Sequence, residues 1–286
     1  MRALLLVAVS GVIATGCAKI LGLDDTTFAE DAMIGPTTCQ GAPLCTSSSG
    51  RSACGQLLQT GAEAGQPLRV AEPTGELCTT ADGPCAFSVS ALPLADFFAG
   101  EGTPVAGTVD DCGRFVVPDL DPAIADIALS ISAPAGFTQS ATLVLAREMT
   151  AGVDEQLEAF VVSEATVETW TTAMTTDVAP DVSSGYLVRY TSSTSAPVGG
   201  EQVAKDASSP LMNPPGTVPW AAYFDANAPF GLLDPAQTAT AAHGTAYANL
   251  GSGTFSLEGF RPGARCRVMG LQQIANTFIF VIAKNC

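Results

Sequence analysis

The residues of this sequence with the clearest chemistry are its nine cysteines. Cys17 stands apart from the other eight because it follows the small residues Ala14, Thr15 and Gly16 at the end of an apolar run. A thiolate is a strong nucleophile and also a disulfide partner. The position of Cys17 therefore raises the question of which of these two reactions it undergoes.

The element that positions Cys17 is an N-terminal leader. Met1 and Arg2 form a short cationic start, and residues 3–14 carry one polar side chain, Ser10. Twelve such residues suit a secretory signal and are too few to cross a bilayer, which takes about 20. The leader predicts export, and residues 1–16 are its expected extent.

Residues 14–17 resemble the lipobox of bacterial lipoproteins, with Ala14 where leucine is usual. The resemblance implies a diacylglyceryl group on the Cys17 sulfur, cleavage of the signal peptide before Cys17, and acylation of the new amine by a palmitate-like chain. Two or three chains would anchor the protein, since each buried methylene contributes about 0.8 kcal/mol. The alternative is an ordinary secretory peptide with Cys17 in a disulfide.

The residues after Cys17 indicate a destination. Asp at position 18 would favour the inner membrane of Gram-negative bacteria, and this chain has Ala18. The segment 17–25, CAKILGLDD, resembles the mature start of lipoproteins of the myxobacterial type. The expected location is the outer membrane, lipid-anchored on its periplasmic or cell-surface face.

The other eight cysteines are an even set that suits four disulfides in an exported protein. We expect Cys266 to pair with Cys286, closing a loop worth about 3 kcal/mol. The single histidine and the lack of a C-x-x-C motif argue against zinc, and neither a metal nor a cofactor is predicted. The disulfide candidates are Cys39, Cys45, Cys54, Cys78, Cys85, Cys112, Cys266 and Cys286.

The charge of the chain limits its partners. It has 28 acidic and 12 basic residues, a net charge of −16. Such a surface repels nucleic acid, which excludes nucleic-acid binding as a main role. The expected partners are the membrane, through the lipid, and a cell-envelope protein or polysaccharide.

Catalytic motifs do not appear in the sequence. His243 is the only histidine and lies in a turn, where we expect it to be exposed and inactive; neither H-E-x-x-H nor G-x-S-x-G occurs. Asp110 and Asp111 read as solvated turn residues, with a calcium site as the alternative. The chain is predicted not to be an enzyme.

Short alternating strands separated by Gly, Pro and Asp turns predict a mainly β fold built of sandwiches. Residues 109–137 resemble the carboxypeptidase regulatory-like domain: Gly113 suits a tight turn, and Phe115 and Val117 point to one face. A looser second copy places Gly244 where the first has Gly113. The resemblance implies two transthyretin-like (Ig-like) sandwiches with a disulfide-rich N-terminal region.

Composition divides the chain into six segments. Between the sandwiches we expect a strand at 157–162 and a short helix capped by Ser163, with Trp170 packed at the junction; around 50–65 we expect a turn or two of helix. The segments are a signal peptide (1–16), an acidic tether (17–38), a cysteine-rich region (39–85), a first sandwich (86–150), a connecting segment (151–180) and a second sandwich (181–286).

Together these features predict a non-catalytic, surface-anchored lipoprotein that acts as a structural or interaction module. The alternative is a protein that binds a glycan or an envelope polymer through exposed aromatic rings. The candidate rings are Tyr186, Trp220 and Tyr223. Exposure of these rings would favour sugar binding, and burial would favour a structural module.

Overall fold

The computed structural model describes residues 39, 51–145, 156–174, 185–206, 209–212 and 218–286. Within these residues the helices are α1 (Leu94–Ala99) and α2 (Glu164–Met174), with short 3-10 turns at Gly61–Glu63 and Gly83–Ala86. The mainly β fold is confirmed. The strands are β1 (Arg51–Gln59), β2 (Ser88–Pro93), β3 (Val105–Ala106), β4 (Thr108–Val109), β5 (Arg114–Leu120), β6 (Ile127–Ser132), β7 (Phe137–Val144), β8 (Gln156–Ser163), β9 (Gly185–Tyr190), β10 (Gln202–Lys205), β11 (Trp220–Tyr223), β12 (Thr245–Asn249), β13 (Thr254–Arg261), β14 (Ala264–Gln272) and β15 (Thr277–Ala283).

The first sandwich packs two small sheets against each other. One has the order β1-β5-β4, and the other places β2 beside β3 and β6, with β6 beside β7. Phe115 and Val117 from β5 meet Leu129 and Ile131 from β6 in one buried cluster. The predicted inward direction of Phe115 and Val117 is therefore confirmed.

The second sandwich places the three-stranded sheet β10-β13-β14 over β11-β12-β9-β15. Alternate residues of β9, including Tyr186 and Val188, face Leu257 and Val268 across this core. Leu187, between them in sequence, faces the opposite side of its sheet, as strand periodicity requires. Two sandwiches were predicted, and two are present.

Helix α2 covers that opposite side. The Ser163 hydroxyl accepts a hydrogen bond from the backbone N–H of Thr166 at 3.0 Å, which confirms the predicted cap. Trp170 and Met174 lie on the buried face of the helix, and the Trp170 indole N–H donates to the carbonyl of Gly231 at 2.7 Å. The rings around Trp170 are those of Phe224 and Phe278.

The two sandwiches share hydrogen-bonded strands. β15, the last strand of the second sandwich, pairs in parallel with β7 of the first and with β9 of the second. β8 pairs in parallel with β1 and, through Val162 and Ser163, antiparallel with β7. The resulting sheet therefore continues across the segment expected to separate the sandwiches.

Strand β1 corrects one expectation. A turn or two of helix was expected around residues 50–65; the 3-10 turn Gly61–Glu63 is present there, but most of the segment, residues 51–59, forms a strand hydrogen-bonded to β5 on one side and β8 on the other. Both faces of β1 are covered, so its sequence lacks the polar–apolar alternation of a half-exposed strand. The cysteine-rich region thus contributes a strand to the first sandwich.

Disulfides crosslink several of the described segments. Cys39 bonds Cys112, which ties the turn of the first sandwich to the cysteine-rich region, and Cys78 bonds Cys85. Cys54 is disulfide-bonded as well. The predicted pairing of Cys266 with Cys286 is confirmed.

Candidate binding cleft

The aromatic rings proposed to bind a ligand are buried. Tyr186, Trp220 and Tyr223 are each 1% exposed, so the prediction that they are exposed is wrong. The physical reason is that β9 and β11 lie inside a layered structure, covered on both faces. The Tyr186 hydroxyl donates to the carbonyl of Gln272, and the Tyr223 hydroxyl accepts from the N–H of Val203 at 3.1 Å.

His243 is more constrained than expected. It lies in a turn, as predicted, but it is half-buried and both ring nitrogens have partners. Nε2 contacts the carbonyl oxygen of Asp225 and must therefore donate to it. Nδ1 accepts from the hydroxyl of Thr245 at 2.8 Å. The ring therefore braces the turn against β12.

Cys17, Cys45 and the tether lie outside the described residues, and so does the signal peptide. The structure therefore describes neither the predicted lipidation site nor its surroundings. The described helices do not include one long and apolar enough to span a bilayer.

The acidic turn before β5 holds itself together. Asp110, Asp111 and Cys112 approach one another, but the Cys112 sulfur is in a disulfide. Asp110 accepts from Arg114 Nε at 2.6 Å, and Asp111 accepts from the N–H groups of Thr74 and Gly75 at 2.7 Å. These contacts use the carboxylates to close the turn.

Desolvation of Asp111 raises its pKa, but four influences that lower it prevail. They are two hydrogen bonds from Thr74, one from the backbone of Gly75, and the positive charge of Arg114. The pKa of Asp111 in the folded protein is consequently below its ordinary value.

Two buried carboxylates in the second sandwich each face arginine. Glu258 is 1% exposed, and its side chain contacts Arg265 and Arg267, with Arg267 Nε donating at 2.7 Å. Glu201 lies 3.0 Å from Arg261 Nε. Burial raises the pKa of Glu201 above its ordinary value, against the opposing effect of the Arg261 charge.

A cleft of about 310 Å³ opens at the junction of the two sandwiches. We call it the junction cleft. The parallel strands β7, β9 and β15 end at one edge of the sheet, and β8 begins there on its way to β1. The residues that line it are Thr142, Leu143 and Val144 of β7, Leu157 and Glu158 of β8, Arg189 of β9, Thr191 and Ser195 after β9, Ile282 of β15, and Lys284.

The polar groups of the junction cleft are unevenly paired. Arg189 donates through one terminal nitrogen to Glu158 at 2.8 Å. Its Nε and the hydroxyls of Thr142 and Thr191 are buried and have no hydrogen-bond partner within the described residues. Buried polar groups are normally paired, so such a concentration marks the cleft as the candidate site.

Sequence reasoning did not identify the junction cleft. Its walls come from strands more than a hundred residues apart, which no local pattern brings together. One signal was available: Arg189 interrupts the apolar run GYLVRY of β9, and a charge in a buried strand needs a partner or a function.

Comparisons with known proteins find no matching family model and no matching curated protein. Among solved structures, the Bacillus anthracis TIE protein is 9% identical at a TM-score of 0.23, over 82% of this chain and 34% of that one, so the chain spans about a third of its length. Shaft pilin SpaA from Lactobacillus rhamnosus GG is 10% identical at a TM-score of 0.22, over 82% and 98% of the two chains. The Streptococcal ancillary pilin is 10% identical at a TM-score of 0.21, over 82% and 69%. Likenesses at these scores carry no argument about this chain.

Proposed function

We propose that this chain is a non-catalytic interaction or structural module, held at the outer membrane by lipid on Cys17. The observation that carries the proposal is the shared sheet. Because β15 of the second sandwich pairs with β7 of the first, the two sandwiches form one continuous framework rather than two separate lobes. Disulfides reinforce that framework.

The non-catalytic part is supported by how the titratable groups are used. His243 braces a turn, Glu258 is covered by two arginines, and Asp111 closes the turn before β5. Hydrolysis by paired carboxylates needs two of them facing one cleft. Among the described residues of the junction cleft, Glu158 is the one carboxylate.

The anchor is supported by the lipobox-like residues 14–17. Replacing the nucleophilic sulfur, Cys17→Ser, is expected to move the protein from the detergent phase to the aqueous phase in a two-phase partition of cell extracts. Mass spectrometry of the wild-type N-terminal peptide should show the added acyl mass. Unchanged partitioning of the variant would overturn the anchor.

Ala18→Asp serves as the matched variant for sorting. It leaves Cys17 in place, so the protein should stay in the detergent phase. If residue 18 directs sorting, fractionation should show the variant moving from the outer to the inner membrane. If neither the wild type nor the variant is found in the outer membrane, the proposed localisation is contradicted. The proposal that Cys17 is lipidated is not affected by that result.

Binding of a glycan or envelope polymer is the second candidate function, and the junction cleft favours it. The rings Tyr186, Trp220 and Tyr223 cannot serve this role because they are buried. Two experiments separate the candidates. In crosslinking on intact cells followed by mass spectrometry, crosslinks to envelope proteins would support a protein-interaction module. In a separate binding assay, retention of the protein on purified envelope polysaccharide would support the glycan candidate.

A further inference from the structure

We infer that the junction cleft binds a carboxylate-bearing sugar, such as one uronate unit of an acidic polysaccharide. This inference rests on the second candidate function and names its ligand class. It is independent of the lipid anchor, because the lining residues given above lie in described strands or directly after them.

The charge of the cleft is opposite to that of the chain. Arg189 and Lys284 approach it from the ends of β9 and β15, in a protein with a net charge of −16. Glu158 neutralises one cation, and Lys284 forms no ion pair with a described residue. Among the described lining residues, one positive charge therefore remains for a ligand. The guanidinium plane of Arg189 suits a carboxylate, and an ammonium adds a second charged donor.

The hydroxyl groups of the cleft extend the site beyond a simple anion site. Thr142 and Thr191 are each 2% exposed, and their hydroxyls lack partners within the described residues. Ser195, in the hydrogen-bonded turn after β9, lines the same cleft and adds a third hydroxyl. A ligand that carries several hydroxyls beside its carboxylate matches this set better than an inorganic anion does.

The size and the apolar walls fit one sugar ring. The volume of about 310 Å³ lies at the lower end of small-molecule sites, which span about 300–1,000 Å³. Leu157 and Ile282 supply apolar surface between the polar groups. Such a surface can receive the C–H face of a ring while its substituents reach the hydroxyls and the cations.

The test uses the full chain, purified in detergent, and calorimetric titration with sodium D-galacturonate. D-Galactose is the neutral match, and inorganic phosphate is the anion without a sugar. We expect galacturonate to bind at least about tenfold more tightly than galactose, because charge-assisted hydrogen bonds are the stronger kind. Phosphate should bind more weakly than galacturonate.

Variants of opposite sign guard against a folding artefact. Lys284→Gln should weaken galacturonate binding about tenfold, and Glu158→Gln should strengthen it because a competing carboxylate is removed. Lys205→Gln is the matched control, since that ammonium donates to the carbonyl of Leu250 at 2.7 Å and is not part of the cleft. It should leave binding unchanged.

Equal affinity for galacturonate and galactose would overturn the inference, as would phosphate binding as tight as galacturonate binding. If Lys284→Gln binds galacturonate as tightly as the wild type, the ligand binds at another surface, and the inference is overturned as well. The partition of the Cys17 variants is measured separately. Failure of the cleft and failure of the anchor are therefore distinguishable.

Discussion

The backbone of Gly113 packs closely against the carbonyl of Leu68, so that a Cβ added at Gly113 would lie 2.0 Å from the carbonyl oxygen. The glycine has φ of +74°, as the predicted tight turn requires. Gly113→Ala therefore meets both a strained backbone and a clash. We expect it to lower the free energy of unfolding by more than about 3 kcal/mol.

Gly136→Ala separates the two contributions. Gly136 has a similar φ of +88°, and a Cβ there would meet nothing within 4 Å. Gly136→Ala should lower the free energy of unfolding by about 1 kcal/mol, which is the cost of the backbone strain alone. Urea unfolding followed by circular dichroism measures both variants, and equal costs would show that the Leu68 contact is unimportant.

The two tryptophans make a second matched pair. Trp170 donates to the Gly231 carbonyl at 2.7 Å, whereas the equally buried Trp220 Nε1 has no described partner. Trp170→Phe leaves that carbonyl unpaired, so it should cost about 1–3 kcal/mol more than Trp220→Phe. The same unfolding measurement checks this. A larger cost for Trp220→Phe would mean that packing, not the hydrogen bond, decides.

Loop length predicts a ranking of the disulfides. Replacing both cysteines of a pair with Ala should lower the free energy of unfolding, and the loss should grow with the length of the closed loop. We expect the largest loss for Cys39–Cys112, a smaller one for Cys266–Cys286 and the smallest for Cys78–Cys85. Their sequence separations are 73, 20 and 7 residues. The chain-entropy costs are about 4, 3 and 2.5 kcal/mol. Calorimetric unfolding tests the order, which a reversed ranking would contradict.

Thiol titration gives an independent count. Wild-type mature protein, denatured without reductant, should show no reactive thiol, since Cys17 is expected to be alkylated and the other eight cysteines paired. Two or more free thiols per chain would contradict this count and, with it, the proposed oxidising location.

Glu201 predicts a dependence of stability on pH. Its pKa is raised in the folded state, so its stabilising contribution is full below the unfolded pKa and is lost as the pH rises through the folded pKa. Glu201→Gln imitates the protonated form. We expect the variant to be more stable than the wild type at neutral pH, and the difference to vanish as the pH falls to about 4.

Asp111→Asn is the counterpart with the opposite sign. The lowered pKa of Asp111 means that its contribution is present above the unfolded pKa and is lost as the pH falls through the folded value. This variant should be less stable than the wild type at neutral pH. Thermal unfolding of both variants between neutral and acidic pH checks these predictions. If Glu201→Gln and Asp111→Asn change the stability at neutral pH in the same direction, the pKa directions are refuted.

The predictable parts of this fold are those whose causes are local. The turn at Gly113, the capped helix after Ser163 and the strand at 157–162 each follow from a few neighbouring residues, and each is present. The burial of Phe115 follows from strand alternation in the same way. Local chemistry of this kind does not depend on the rest of the chain.

The unpredicted parts depend on distant partners. Arg51–Gln59 became a strand because β5 and β8 pair with it on both sides, and Tyr186 became buried because a second sheet covers β9. Strand alternation indicates which residues share a face and does not indicate whether that face is covered. The junction cleft was missed for the same reason, since it exists where β7, β9 and β15 meet.

The parallel pairing of β15 with β7 sets an order of events during folding. The edge of β7 is synthesised about 140 positions before the strand that covers it, as the register of Ser140 with Phe278 shows. Until residues 277–283 arrive, the first sandwich exposes backbone N–H and C=O groups that would recruit strands from other chains. We therefore expect completion of the sheet to be a slow, long-range step, and a chain truncated before β15 to aggregate rather than leave a folded first half.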